Sequence, residues 1–173
     1  MASNFLHLAT TPAVEAEQLK HYGRKFPNFG DGQPDELGDA EREFIAARDS
    51  FYMATVTEEG WPYVQHRGGP AGFLKSTGPR ALAFGDYTGN RQMLSAGNLR
   101  AGDRVALFLM DYPRRSRLKI LGHAKFFSAA EQPGLAAHLA AVKGPKGGAR
   151  RDDRRGGVGL ELPEIHHAAL HAA

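Results

Sequence analysis

Three short stretches of the chain place cations and amides at spacings that suit an anionic ligand. In "FGDYTGNRQM" a strand-like run ends at Asp86 and Tyr87, Gly89 turns the chain, and Asn90, Arg91 and Gln92 read as the opening of a helix. The free backbone N–H groups at a helix start, with the positive end of its dipole, attract an anion. The Arg91 guanidinium adds a planar fork that matches a phosphate. The plainer reading is that Asn90 caps the helix and Arg91 is a solvated charge.

The second stretch is "YVQHRGGPAGFLK". On a strand Gln65 and Arg67 share one face and His66 takes the other. Gly68 and Gly69 would let a ligand approach the backbone, although a strand end with a bulge explains the same glycines. The third is the pair Arg117 and Lys119, two apart on one face of a strand. Two neighbouring cations repel unless an anion lies between them. A basic solvated sheet edge, begun by Arg114 and Arg115, is the alternative.

Other chemistry is poorly supported. The chain has no cysteine, so disulfides and thiolate catalysis are excluded. His166, His167 and His171 have helical spacing but no accompanying carboxylate of fixed geometry, so no metal site is expected. The basic run from Lys143 to Arg155 lacks the interleaved aromatics that stack bases, so nucleic acid is not an expected partner. Phosphate-loop, dinucleotide and nucleophile-elbow motifs are absent.

The elements that position these residues follow from periodicity. Thr11 and Pro12 suit the start of a helix to Lys25, and Asp39 to Arg48 reads as a second helix. From Phe51 the texture turns to β. Glu58, Glu59 and Gly60 separate two strand-like runs as a hairpin turn. "RALAFGDY" is a further strand and "TGNRQMLSAGNL" a short helix opened by Thr88 or Asn90. "DRVALFLMDY" is apolar on both faces and reads as a central strand, and Arg115 to Phe127 supplies another. A mostly antiparallel sheet of this kind hides its edges most simply by closing into a small barrel. "AAEQPGLAAHLAAV" reads as one helix. The chain thus divides into a helical lead (1–50), a β core (51–128) and a helix with a basic tail (129–173).

The 173 residues make one domain by size. A hydrophobic fraction of 42%, a charged fraction of 24% and a net charge of +3 suit an ordinary globular protein. The N-terminus does not resemble a secretory signal. No stretch approaches the roughly 18 apolar residues of a membrane span. The expected location is the cytoplasm.

In order, "FIAARDSFYMATVTEEGWPYVQHRGGPAGFLK", "FGDYTGNRQ" and "RVALFLMDYPRRSRLKILGHAK" resemble the FMN-binding proteins related to pyridoxamine 5'-phosphate oxidase. The likeness runs from about Phe44 to Phe127. It implies a mainly β protein with flanking helices, a split β-barrel that forms a homodimer, with FMN in a cleft between subunits. It also implies site roles. Gln65, His66, Arg67 and Gly68 would line the flavin ring and ribityl chain, and Asn90, Arg91 and Gln92 would hold the phosphate. Arg117 and Lys119 would reach the ring edge or the phosphate. The function implied is a flavin-dependent oxidoreductase acting on a small molecule. The alternative is a binding module of the same fold, without turnover, holding flavin, a deazaflavin or haem. The Gly-Gly-Pro segment departs from the oxidase itself, and that enzyme's C-terminal substrate-binding segment is not recognisable. Oxidation of pyridoxamine phosphate is therefore not expected.

The tail has a second reading. Proteins of this kind are expected to end in a strand leading to a segment like D-W-N-C-P-x-x-I-T-P-R-Y-T. Here "GLELPEIHHAALHA", Gly159 to Ala172, stands at that distance. Starting at the second base of each codon, synonymous codons for these residues permit that segment, and "ARRDDRRGG" permits R-V-E-T-I-V-V-E-A. Such a match points to a one-base slip between about Lys143 and Ala149, with the residues after it foreign to the fold and poorly ordered. A divergent basic tail is the alternative. Sequencing the native gene across these codons decides the matter: an uninterrupted frame overturns the slip.

Overall fold

A computed structural model describes residues 3–27, 30–31, 33–86, 92–140, 159–161 and 165–168. The chain opens with helices α1 (Ser3–Ala9) and α2 (Pro12–Tyr22). Thr11 caps α2 as its sequence suggests, but the helix stops at Tyr22 and does not run on to Lys25. The Thr11 hydroxyl accepts from the Val14 N–H at 3.4 Å, and Gly23 closes the helix in the left-handed conformation, φ 67°. No residue of α2 is buried. Helix α3 (Asp39–Ala46) instead sends Ile45 into the core.

Strands β1 (Ser50–Val56) and β2 (Pro62–Gly68) form the expected hairpin. Gly60 turns at φ 87°, and the Thr57 N–H donates to the Trp61 carbonyl at 2.9 Å. The chain continues through β3 (Lys75–Gly78), β4 (Ala81–Ala83), α4 (Leu94–Ala101), β5 (Arg104–Asp111), β6 (Ser116–His123), β7 (Lys125–Phe127), α5 (Pro133–Ala140), β8 (Gly159–Glu161) and β9 (Ile165–Ala168). The main sheet has the order β2-β1-β5-β6-β9 with antiparallel pairing throughout. Two further ladders, β3-β4 and β7-β8, complete a mainly β architecture with flanking helices.

Strand β5 lies centrally, as its doubly apolar sequence suggests. Its inward residues Val105, Leu107 and Leu109 meet Phe51 and Met53 of β1 and Leu118 and Ile120 of β6 in one buried cluster. Phe51 stacks on Phe73 (5.5 Å between centroids) and meets Phe84 edge-on (5.1 Å). Just after α3, Arg48 pairs with Asp111 at the end of β5 (2.8 Å) and lies over Phe44. The Arg114 N–H and the Arg48 guanidinium hold the Asp111 carboxyl below the usual carboxylate range.

The structure revises two further local readings. The helix after Asp86 opens at Leu94, not at Thr88 or Asn90. Met93 stands in the left-handed region, φ 55°, which stops α-helical backbone from extending toward the N-terminus. Gln92 is therefore outside the helix. The second revision concerns the glycines. A Cβ at Gly69 would stand 2.6 Å from Cγ of Phe73, and one at Gly68 would stand 3.2 Å from Cε1 of His66. Phe73 is buried and cannot yield. Gly69 thus makes room for the chain's own core aromatic.

Candidate functional site

Alternation along β2 places Gln65 and Arg67 inward, opposite Met53 and Phe51 of β1, with His66 outward opposite Tyr52. The two inward side chains are engaged within the fold. Gln65 Oε1 accepts from the Ser95 hydroxyl of α4 at 2.9 Å. Arg67 forms an ion pair with Asp86, just beyond β4, and lies 5.8 Å from the centre of the Phe84 ring. Both members of the pair are largely covered, with side-chain exposures of 13% and 20%. Burial pushes the Asp86 carboxyl above its ordinary range, and the Arg67 charge only partly opposes this. A second bond, from Asn98 Nδ2 to Thr55 Oγ1 at 2.8 Å, fastens α4 to β1.

The outer face of the sheet carries the rest. Register sets His66, Tyr52, Phe108 and Lys119 side by side across β2, β1, β5 and β6. The adjacent rows add Val64, Ala54, Ala106 and Leu121 on one side, and Met110 with Arg117 on the other. His66 meets Tyr52 edge-on at 5.5 Å, and the Tyr52 hydroxyl lies 3.4 Å from that of Tyr112. That neighbouring hydroxyl pushes the Tyr112 phenol up. None of the outward positions of these four strands is a carboxylate. Arg117 and Lys119 are half-buried there, and no hydrogen bond or ion pair engages either side chain among the described residues.

The nine residues expected at the site therefore divide. Gln65 and Arg67 face inward, while His66, Arg117 and Lys119 face outward. Three strand spacings of about 4.8 Å separate His66 from Lys119. Gly68 ends β2, and Gln92 is exposed before α4. Asn90 and Arg91 lie outside the described residues. Sequence reasoning missed Tyr52, Phe108, Ser95 and Asp86. The first two were visible as outward positions in "FYMATV" and "RVALFLMD". Nothing local marked Ser95 or Asp86, because their partners are 30 and 19 residues away. Among the described residues no group of three or more histidines and carboxylates could hold a metal ion. None of their helices is long and apolar enough to cross a membrane.

The family model described as pyridoxamine 5'-phosphate oxidase matches residues 37–156. No curated protein sequence matches. Among solved structures, the chain is similar to a candidate pyridoxamine 5'-phosphate oxidase of Lactobacillus delbrueckii. That match has 19% identity and TM-score 0.54, covering 78% of this chain and 94% of that one. A Clostridium acetobutylicum protein related to general stress protein 26 is similar at 15% identity and TM-score 0.52, with 78% and 88% covered. HupZ of Group A Streptococcus is similar at 10% identity and TM-score 0.52, with 75% and 89% covered. At these identities the likeness is one of fold.

Proposed function

The chain belongs to the pyridoxamine 5'-phosphate oxidase family, and from that footing we propose that it is a homodimeric FMN-binding split-barrel protein working as a flavin-dependent oxidoreductase on a small molecule. The observation that carries this reading is the outer face of the sheet. It joins the apolar and aromatic Tyr52, Phe108 and Met110 to two half-buried cations, with no carboxylate among the outward residues of β1, β2, β5 and β6. Val64 is 60% exposed and Tyr112 66%. An apolar surface of this kind calls for a partner, and a second copy supplies one. Two such faces brought together would repel through Arg117 and Lys119 unless an anion lay between them, and a phosphate-bearing cofactor meets that need. The donor set fits FMN.

In this reading Arg117 and Lys119 hold the ring edge or the phosphate, and Asn90, Arg91 and Gln92 bind the phosphate. His66 and Tyr52 border the ring. When bound, FMN supplies hydride or electron transfer, and the protein's part is to bind it, orient it and exclude water.

The test is a titration of the apo-protein with FMN and with riboflavin, which lacks the phosphate, for the wild type and Arg91→Ala. A lost charge-assisted fork is expected to weaken FMN about 10- to 100-fold while leaving riboflavin unchanged. Equal FMN affinity in the two proteins refutes the phosphate role of Arg91. A second reading, flavin held without turnover, is favoured by the lack of any carboxylate that could serve as acid or base among the outward residues of β1, β2, β5 and β6. It gains if bound flavin is never bleached by NAD(P)H, and a Soret band in place of flavin bands would identify haem.

A further inference from the structure

The ion pair with Asp86 does not satisfy the whole Arg67 guanidinium. Its Nη1 reaches the Asp86 carboxylate, but its Nε is fully buried and meets no hydrogen-bond acceptor among the described residues. A buried donor left unpaired on a charged group is costly, and native folds satisfy nearly all such atoms with protein groups or ordered water. The surroundings of Arg67 favour water. Arg67, Asp86 and Ser95 border a small cavity between β2, the end of β4 and α4, walled elsewhere by apolar side chains that include Met53, Ala96 and Leu99. The cavity leaves about 10 Å³ for the centre of a water molecule, and one water needs about 10 to 15 Å³ on that measure. A larger ligand does not fit, and an anion would face the Asp86 carboxyl.

We infer that this cavity is a binding site for one ordered water, which joins Arg67 of β2, Asp86 beyond β4 and Ser95 of α4. The water accepts from the Arg67 Nε–H. It donates to the Asp86 carboxylate and to the Ser95 hydroxyl oxygen, whose own hydrogen goes to Gln65. Three partners are the usual complement of a buried water. The apolar walls offer no fourth. With the water in place, the Gln65–Ser95 bond and the Arg67–Asp86 pair become one connected polar layer beneath α4, and the Asn98–Thr55 bond fastens the same helix separately. The inference concerns how α4 is seated on the sheet, so it holds whichever cofactor the protein binds.

The experiment is nitrogen-15-edited NMR of the full chain, reading magnetisation transfer between the Arg67 Nε–H proton and water. In a rotating-frame spectrum a bound water gives a cross-peak opposite in sign to the diagonal, whereas proton exchange gives one of the same sign. The water site expects the first. No cross-peak, or one of the exchange sign, overturns it. The Ser95 hydroxyl could relay water's frequency, so Ser95→Ala is the control: Arg67 and Asp86 still hold the water there, and the cross-peak should persist. Its disappearance in Ser95→Ala overturns the site. A filled cavity gives a second, opposite pair of outcomes. In Ala96→Val the added methyl groups expel the water and strand the Arg67 Nε–H, which should abolish the cross-peak and lower the urea midpoint by about 0.5 M. A dry void would instead gain from the filling, and a raised midpoint overturns the site. If Ala96→Val fails to fold, the spectra of wild type and Ser95→Ala decide alone.

Discussion

Replacing Arg67 with alanine is expected to lower the stability of the fold by about 3 kcal/mol at neutral pH, the scale seen when one partner of a buried ion pair is removed. The cost lies in what is left behind. Asp86 stays largely covered beside Phe84, with its one described countercharge gone. Burial already raises the Asp86 carboxyl against the opposing pull of Arg67, and without Arg67 the rise is larger. The sign of the pH dependence follows. An acid whose folded pKa exceeds its unfolded value costs nothing below the unfolded value, where both states are protonated. Its penalty grows between the unfolded and the folded value and is complete above the folded one. The deficit of Arg67→Ala relative to wild type should therefore shrink as pH falls from 7 toward 5. Urea unfolding at the two pH values measures it. An unchanged midpoint at pH 7, or a deficit that widens on acidification, would show that the pair is not holding the fold. Arg67→Lys should recover only part of the loss, because an ammonium cannot reproduce the planar fork.

The second large effect is expected at the outer face. Exchanging both Arg117 and Lys119 for alanine should weaken FMN about 100-fold, the sum of two charge-assisted contacts. The cofactor-free protein should stay as stable as wild type or become slightly more so. The two cations sit two residues apart on one strand, with no carboxylate among the outward residues of β1, β2, β5 and β6, and in the absence of an anion they only repel. Affinity lost without stability lost marks side chains kept for a ligand. Paired isotherms and urea curves on one preparation separate the outcomes. Unaltered FMN affinity would leave the cations as a solvated edge, and a large drop in stability would make them structural.

Much of the architecture was legible because local chemistry settled it. Thr11 opens α2, Gly60 turns the first hairpin, and the doubly apolar "RVALFLMD" takes a central place in the sheet. The alternation that puts Gln65 and Arg67 on one face and His66 on the other was equally plain. What those faces meet was not. Whether Arg67 looks at a ligand or at Asp86 depends on where β4 ends, and Gln65's partner depends on how α4 lies across the sheet. The start of α4 was misplaced because Asn90 is a good cap by type, whereas the backbone turns left-handed at Met93, a residue with no special leaning that way. Gly69 was assigned to a ligand because its crowding partner, Phe73, is revealed only once the turn is folded. The short strand β3 escaped notice because Ser76 and Gly78 carry little β preference and its ladder with β4 is interrupted by a register shift.

The most direct measurement is the absorbance of the purified protein during titration of its apo form with FMN. Flavin bands near about 370 and 450 nm that saturate at one FMN per chain, on a species with twice the chain mass, are expected if two outer faces close on the cofactor. A chain that stays monomeric and takes up no FMN, or a Soret band in its place, would contradict it.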